Sequence, residues 1–409
     1  MEKEHLPFVI VGHIDHGKST IIGRLLFDTN SLPDSVVDEV RSAAEGMGRK
    51  MEFAHLLDSL QEEREKNITI DTTQTFFRTE RRDYVIIDAP GHKEYLRNMI
   101  TGASMAAAAV LMLDVSRGPE DQTRRHAYIL KLLGVEQIIV AINKMDLAQY
   151  SEEVYLKAKR EMTEFLAKVG LTPAHVIPIS AFRGENVATR AEAMPWYKGA
   201  TVLEALDTFK APESLARKPM RFAVQDVYSV DGKKIAVGKV ESGILKKGDA
   251  VQLFPSGRKA TIASVEVWQQ RRSKAEPGDA VGVTLTPAHE MARGEILCGT
   301  TTPRLGTSMK ATIFWMDQKP LSADRRMSIK CATQEIPCEI ESVVSRIDSS
   351  TLAVLGENTD EIGEAEAAIA LIRTETPLVS EDFTQIEGLG RFVLVRDDDI
   401  VAGGIVHGG

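Results

Sequence analysis

The chain has 409 residues, a net charge of −9, 43% apolar residues and 27% charged residues, which is ordinary for a globular protein. This length exceeds one ordinary core, so we expect two or three domains. No apolar run reaches the ~18 residues that a membrane helix requires, and the acidic N-terminus is unlike a signal peptide. Three cysteines at spacings unlike a metal site or disulfide framework complete the case for a cytoplasmic protein without membrane partners.

The negative charge is concentrated in the last quarter of the chain. Residues 306–409 contain nine Lys and Arg against 18 Asp and Glu, so they account for the entire excess of −9. A strongly acidic region is a poor surface for a phosphate backbone. We therefore expect nucleic acid to be an improbable partner of this region.

The first half of the chain alternates short β-branched runs with helical patterns. The runs are "FVIVG", "YVIID", "AVLMLDV", "QIIVAIN" and "HVIPIS", and the helices include "KSTIIGRLLF" and "SEEVYLKAKREMTEFLAKVG". Such alternation predicts a mostly parallel sheet covered by helices on both faces. It ends near residue 210, where "KAPESLARKP" indicates a linker.

The second half is rich in strands and turns. In one segment Ala263, Val265 and Val267 alternate with polar residues, and in "CEIE" Cys338 and Ile340 do the same. The last stretch, "GRFVLVRDDDIVAGGIV", predicts a hairpin. This pattern of short strands and turns predicts two antiparallel β-barrels. The predicted domain limits are 1–211, 212–303 and 304–409.

A phosphate-binding loop follows the first strand. "GHIDHGKS" places Gly12, Gly17, Lys18 and Ser19 in the P-loop pattern between a strand and a helix. The glycines let backbone N–H groups face a polyphosphate, Lys18 can reach its β- and γ-phosphates, and Ser19 can ligate magnesium. The alternative, a chance glycine-rich turn, does not explain these flanks.

The stretch "DAPGH" follows a later strand. Asp88 stands where such folds place a carboxylate beside magnesium. Gly91 could bring its N–H to the γ-phosphate, and His92 would then face the attacking water. In isolation His92 would be read as an exposed loop histidine; beside a P-loop we predict that it is catalytic.

Base recognition is predicted at "NKMD" and "SAF". Asp146 can accept hydrogen bonds from guanine N1–H and the 2-amino group, a donor pair that adenine lacks. The Lys144 stem can cover the base, and the Ala181 N–H can meet guanine O6. The residues predicted to bind GTP are Gly12, His13, Asp15, His16, Gly17, Lys18, Ser19, Thr20, Asp88, Gly91, Asn143, Lys144, Asp146, Ser180, Ala181 and Phe182.

A switch is predicted at "EREKNITIDT". Thr69 could contact magnesium and the γ-phosphate only while that phosphate is present. Without the other motifs, this threonine would be interpreted as a residue that only favours a β-strand. The predicted magnesium ligands are Ser19, Thr69 and Asp88, and the predicted catalytic residues are His92, Lys18 and Thr69.

Together, "GHIDHGKST", "EREKNITID", "DAPGH", "NKMD" and "SAF" resemble the translation-factor class of GTPases over essentially the whole chain. The resemblance implies GTP hydrolysis with Mg²⁺, a histidine at His92 that orients water, and an elongation factor Tu-like three-domain chain. The expected fold is an α/β P-loop GTPase domain with a mostly parallel sheet, followed by two antiparallel β-barrels.

Two branches of this class compete. "LLDSLQEERE", "DQTRRHAYILKLLGV" and "CEIESVVSRIDSSTL" resemble the GTPase subunit of sulfate adenylyltransferase. That resemblance implies that GTP hydrolysis is coupled to formation of adenylyl sulfate from ATP and sulfate by a separate catalytic adenylyltransferase subunit. We take this branch as the expectation, supported by the acidic last domain.

The alternative is an elongation factor that delivers aminoacyl-tRNA to the ribosome, or a regulatory module that binds GTP and barely hydrolyses it. His13 and His16 look like an elongation factor's loop, and Asn67 stands where both branches usually have glycine. Asparagine tolerates a left-handed backbone. Unchanged GTP turnover in His92→Ala would refute the role predicted for His92.

Overall fold

The computed structural model describes residues 5–32, 73–88, 96–211, 214–230, 232–267, 270–321 and 326–407. The chain divides into two compact units, Met1–Pro212 and Glu213–Gly409. In the part of the chain that the structure describes, none of the helices has the length and apolarity needed to cross a bilayer.

The first unit is built on a six-stranded sheet with the spatial order β2-β3-β1-β4-β5-β6. The strands are β1 His5–Gly12, β2 Thr73–Arg78, β3 Asp83–Asp88, β4 Ala108–Asp114, β5 Ile138–Asn143 and β6 His175–Pro178. Strand β2 runs antiparallel to β3, and the other pairs are parallel. Strands β4 and β5 are buried along their whole length, which explains their unbroken apolar runs. The predicted parallel sheet is confirmed.

Helices connect these strands. They are α1 Lys18–Asp28, α2 Leu96–Ala103, α3 Asp121–Leu132, α4 Glu152–Lys168 and α5 Val202–Leu206. Helix α4 begins after Ser151, whose hydroxyl accepts from the Val154 N–H, and it ends just before Gly170 at φ +75°. Because the sheet is parallel, the strands direct their carboxyl ends, and the loops that carry the motifs, to one edge.

The second unit begins with a short 3-10 helix, Leu215–Arg217, in the predicted linker. Its first sheet has the order β10-β15-β7-β8-β14-β11-β12, and β10 also pairs with β11, so six strands close into a barrel. The strands are β7 Arg221–Val230, β8 Lys233–Ser242, β9 Leu245–Lys246, β10 Ala250–Phe254, β11 Lys259–Val267, β12 Gln270–Arg272, β13 Lys274–Ala275, β14 Ala280–Thr286 and β15 Ile296–Cys298. Strands β9 and β13 form a separate pair. A bulge between Ile262 and Ser264 interrupts the expected alternation, so Val265 is buried and Ala263 only half-buried.

The last sheet has the order β17-β21-β22-β16-β20-β18-β19, and the β17–β18 pairing closes a second antiparallel barrel. Its elements are β16 Arg304–Trp315, β17 Arg326–Cys331, β18 Gln334–Asp348, β19 Val354–Thr359, β20 Glu366–Ser380, α6 Glu387–Gly390, β21 Arg391–Arg396 and β22 Asp399–Val406. The predicted alternation is confirmed, because Cys338 and Ile340 are buried while Glu339 and Glu341 are exposed. The C-terminal hairpin is also confirmed.

One buried ion pair joins the two barrels. Arg221 is 2% exposed, and its guanidinium lies 2.7 Å from Glu381 Oε1. A small apolar cluster also contains residues of both barrels, including Phe254 and Leu389. The domain limits 1–211, 212–303 and 304–409 stay a prediction, with β15 ending at Cys298 and β16 beginning at Arg304.

Candidate functional site

The phosphate loop joins β1 to α1. Gly17 has φ +91°, and a Cβ there would stand 2.3 Å from Asn143 Nδ2, so only glycine fits. A Cβ on Gly12 would stand 2.7 Å from the Met112 carbonyl oxygen of neighbouring β4. The two glycines let the loop turn tightly beneath the ends of β4 and β5.

Lys18 lies over this loop. Its ammonium donates to the carbonyl oxygens of Gly12 at 2.9 Å and of His13 at 3.0 Å. Burial lowers the pKa of Lys18, and the charges of Asp88 and Asp15 oppose that shift. The ammonium is therefore held at the mouth of the loop, where a phosphate oxygen would meet it.

Asp88 ends β3, and its Cα pairs with Ile10 of β1, just before the loop. Burial raises the pKa of Asp88 to about 6, while the charge of Lys18 lowers it. The Ser19 side chain is exposed in the first turn of α1, and Thr20 is half-buried beside it. A half-buried carboxylate and an exposed hydroxyl at one sheet edge are oxygen donors of the kind Mg²⁺ prefers, so these residues fit such an ion.

The predicted residues Thr69, Gly91 and His92 lie outside the described residues, as does Asn67. Their roles stay predictions.

Asn143 joins the phosphate loop to the base-recognition loop. This 3% exposed side chain donates from Nδ2 to the His16 carbonyl at 2.9 Å and accepts the Ala181 N–H at 2.9 Å. Both bonds reach backbone groups that are far from Asn143 in sequence. The amide therefore positions two loops, a role that the sequence motif alone did not reveal.

Asp146 and Lys144 are held by separate partners. The Ser180 hydroxyl donates to Asp146 Oδ1 at 2.8 Å. The Lys144 ammonium lies 2.8 Å from Asp114 Oδ2, in a carboxylate that is 3% exposed. Burial alone would raise the pKa of Asp114, but the hydrogen bonds from Lys144 and Ser116 outweigh burial and lower it. Asp114 was missed by sequence reasoning, although it ends β4 as Asp88 ends β3.

The Ala181 N–H has a protein partner in this structure. It donates to Asn143 Oδ1 at 2.9 Å, so its contact with guanine O6 would have to share or replace this hydrogen bond, and that contact stays a prediction. Within the described residues, the next N–H along the chain, that of Phe182, has no hydrogen-bond partner. The Phe182 side chain is 38% exposed at the same loop.

The side chains of both histidines of the phosphate loop contact protein groups. The His16 side chain is fully buried, with Nδ1 3.1 Å from the Met112 carbonyl oxygen and Nε2 2.8 Å from Glu120 Oε2. His13 Nδ1 lies 3.0 Å from the Ile14 carbonyl oxygen. Burial lowers the pKa of His16, while Met112 and Glu120 raise it. The fully buried His16 side chain leaves its backbone as the group that could serve a phosphate, whereas the roles of the partly exposed His13 and of the exposed Asp15, at φ +62°, stay predictions.

Helix α3 contains most of the run "DQTRRHAYILKLLGV", which resembles the GTPase subunit of sulfate adenylyltransferase. His126 is fully buried, and burial lowers its pKa to about 3. Arg124 donates to the Pro119 carbonyl and lies over the Phe165 ring, and Arg125 donates to Gln122. These side chains pack the helix against its own unit, so their role in this fold does not depend on the partner.

The whole chain matches translation-factor families. Residues 3–212 match the elongation factor Tu GTP binding domain, residues 233–298 match elongation factor Tu domain 2, and residues 308–407 match the GTP-eEF1A C-terminal domain-like family. The fold and these matches define a translation-factor-class GTPase with a P-loop.

Curated relatives narrow the class. Elongation factor 1-alpha of Methanopyrus kandleri is 38% identical over 99% of this chain and 97% of its own. Elongation factor 1-alpha of Methanocorpusculum labreanum is 39% identical over the same shares of the two chains. A crystal structure of sup35 complexed with GDP is 24% identical and covers 99% of this chain and 94% of that chain, at a TM-score of 0.44. The two relatives that are 38% and 39% identical over 99% of this chain show that it belongs to the elongation factor 1-alpha family.

The expectation of a sulfate adenylyltransferase GTPase subunit is wrong, and so is the expected catalytic adenylyltransferase partner. Relatives that match nearly the full length are elongation factors. Two physical reasons explain the error. The run containing Arg124 and His126 packs inside its own unit, so it does not identify a partner. The acidic net charge of the last domain does not show where positive charge lies on the other domains, so it does not argue against binding of tRNA.

Proposed function

We propose that this chain is an elongation factor-type GTPase that binds GTP with Mg²⁺ and delivers aminoacyl-tRNA to the ribosome. The observation that carries this proposal is the similarity to elongation factor 1-alpha over 99% of the chain, which includes both barrels as well as the GTP-binding unit.

Guanine is recognised at the ends of β5 and β6. Asp146 accepts the N1–H and 2-amino hydrogens, and Ser180, 2.8 Å away, orients that carboxylate. Guanine O6 accepts from the backbone of this loop: from the Ala181 N–H, which shares its proton with Asn143 Oδ1, and from the Phe182 N–H, which has no other partner within the described residues. Adenine presents no such donor pair to Asp146 and would leave a carboxylate unpaired.

The γ-phosphate is held at the other end of the site. Lys18 exchanges its carbonyl partners for phosphate oxygens, and the backbone of the phosphate loop donates to the rest. Ser19 and Asp88, with Thr69, would hold Mg²⁺, which when bound supplies positive charge against the phosphates. His92 orients the attacking water.

Charge supports the first barrel as the surface that approaches RNA. Residues 212–303 contain 14 Lys and Arg against 10 Asp and Glu, whereas the last barrel is strongly acidic. A phosphate backbone is attracted to local positive charge whatever the total charge of the chain.

The test is GTP-dependent binding of aminoacyl-tRNA to the full chain, measured by protection of the aminoacyl ester from hydrolysis over a salt series. We expect protection with GTP, weaker protection with GDP, and a steep loss as salt rises. Asp146→Asn should require xanthosine triphosphate in place of GTP, while the exposed Asp121→Asn should behave as the wild type.

Absence of protection at low salt, in a chain that still binds and hydrolyses GTP, would refute delivery of aminoacyl-tRNA. Unchanged guanine preference in Asp146→Asn would refute the base-recognition scheme and leave the tRNA result standing.

A further inference from the structure

Three side chains that could ligate a metal meet where the phosphate loop contacts the start of α3. His16 Nε2 lies 2.8 Å and His13 Nδ1 lies 3.7 Å from Glu120 Oε2. All three ligand atoms are within 4.8 Å of one another. We call this group the His13–His16–Glu120 cluster. It uses no atom that the GTP site requires.

The contacts of His16 with Met112 and Glu120 restrict where its ring protons can lie. A carbonyl oxygen only accepts, so the contact with Met112 at 3.1 Å requires the proton on Nδ1. In the neutral ring, the Nε2 lone pair then faces the carboxylate of Glu120. A cation between the two atoms satisfies both.

The spacing suits a small tetrahedral ion. Zinc bonds of about 2.0–2.1 Å separate neighbouring ligands by about 3.3 Å. The observed distances to Glu120 Oε2, 2.8 Å and 3.7 Å, bracket that value. The Nδ1–H bond of His16 to a backbone carbonyl is the outer contact that ligating histidines usually make. The one rearrangement required is that His13 Nδ1 gives up its contact with the Ile14 carbonyl.

We propose that the His13–His16–Glu120 cluster binds a divalent transition-metal ion, with Zn²⁺ as the best match. Two imidazoles and one carboxylate are a known zinc set with one open position, whereas Mg²⁺ and Ca²⁺ prefer oxygen ligands. Solvent supplies the fourth ligand, because the His13 and Glu120 side chains are 29% and 30% exposed. The Arg117 guanidinium, 3.8 Å from Glu120 Oε1, competes only for the other carboxylate oxygen.

Such an ion would link two elements of the GTP-binding unit. His13 and His16 belong to the phosphate loop, and Glu120 is the N-cap residue of α3. The metal would therefore restrain the phosphate loop against the start of α3.

The experiment is a Co²⁺ titration of the untagged full chain, saturated with GDP and excess Mg²⁺ so that the oxygen-ligand site is occupied. We expect one Co²⁺ per chain with the intense visible absorption of four- or five-coordinate cobalt, without thiolate charge transfer, displaced by Zn²⁺. Glu120→Gln and His13→Gln should each weaken binding at least tenfold. Glu136→Gln, an exposed glutamate of the same unit, is the matched control.

Retained GDP binding shows that each variant is folded. Equal Co²⁺ affinity in Glu120→Gln and the wild type would mean that other histidines bind the metal, and the proposal would fail. A wild-type chain with no such absorption would mean that His16 and Glu120 share a proton, and the proposal would fail equally.

Discussion

The two ends of the GTP site differ in how their polar groups are satisfied. At the base end, Asn143, Asp146 and Lys144 each have a protein partner in good geometry. At the phosphate end, Lys18 bonds to carbonyls of its own loop, and Asp88 has burial working against its charge. The base end is thus organised by the fold, whereas the phosphate end gains most from a charged ligand.

This difference has a physical consequence for the nucleotide cycle. Guanine recognition should be nearly the same in the GDP and GTP states, because the side chains at the base end are already held in place by protein partners. Sensitivity to the γ-phosphate should come from groups whose charge is poorly compensated. The predictions that follow test each end separately.

The largest effect is expected at Asn143. Asn143→Ala removes two buried hydrogen bonds and leaves the His16 carbonyl and Ala181 N–H unpaired. We expect a loss of about 3–5 kcal/mol in unfolding free energy and a loss of GTP affinity. Urea unfolding and a fluorescent-nucleotide titration measure the two losses.

Asn186→Ala is the matched control for that variant. Asn186 is also a buried asparagine with two side-chain hydrogen bonds, to Pro178 and Ala191. It should lose stability while keeping more of its GTP affinity. Equal losses of affinity in both variants would show that Asn143 acts only through overall stability.

A smaller and opposite effect is expected at Asp88. Because burial raises its pKa from 3.8 to about 6, the folded chain binds this proton more tightly than the unfolded chain. Unfolding free energy should therefore fall as pH rises from about 4 to about 6, and then level off. Asp88→Asn should stabilise the nucleotide-free chain at pH 7.5 by about 1–3 kcal/mol and weaken Mg²⁺-dependent GTP binding.

Urea unfolding at pH 4 and pH 7.5 measures this effect, with Asp83→Asn at the start of the same strand as the control. A stability gain that is independent of pH, or that is equally large in Asp83→Asn, would contradict the charge argument.

The smallest effect is expected at Ser180. Ser180→Ala removes the hydroxyl that orients Asp146 but leaves the carboxylate in place. GTP affinity should fall by about 0.5–1.5 kcal/mol, roughly three- to tenfold. Competition between GTP and xanthosine triphosphate measures the loss. Ser151→Ala removes a helix cap elsewhere in the unit and should leave the competition unchanged.

Much of the fold could be predicted from local signals. The P-loop, the parallel strands and the C-terminal hairpin follow from spacing and alternation, which short-range sterics impose. The bulge beside Ser264 could not be predicted, because it depends on the register between β11 and β14. The prediction of the sulfate branch was wrong because it relied on α3, a helix whose side chains pack inside the GTP-binding unit whatever the function of the protein.

The sequence by itself determined the type of site, because glycine at the tight turn, lysine and carboxylates at strand ends are local requirements of phosphate chemistry. Only the tertiary structure decided which atoms are free. It directs the Ala181 N–H to Asn143 and turns His16 to Glu120, 104 residues away in the chain. The physical reason is that a buried donor takes whichever acceptor packing brings to it, and packing is not encoded within any one motif.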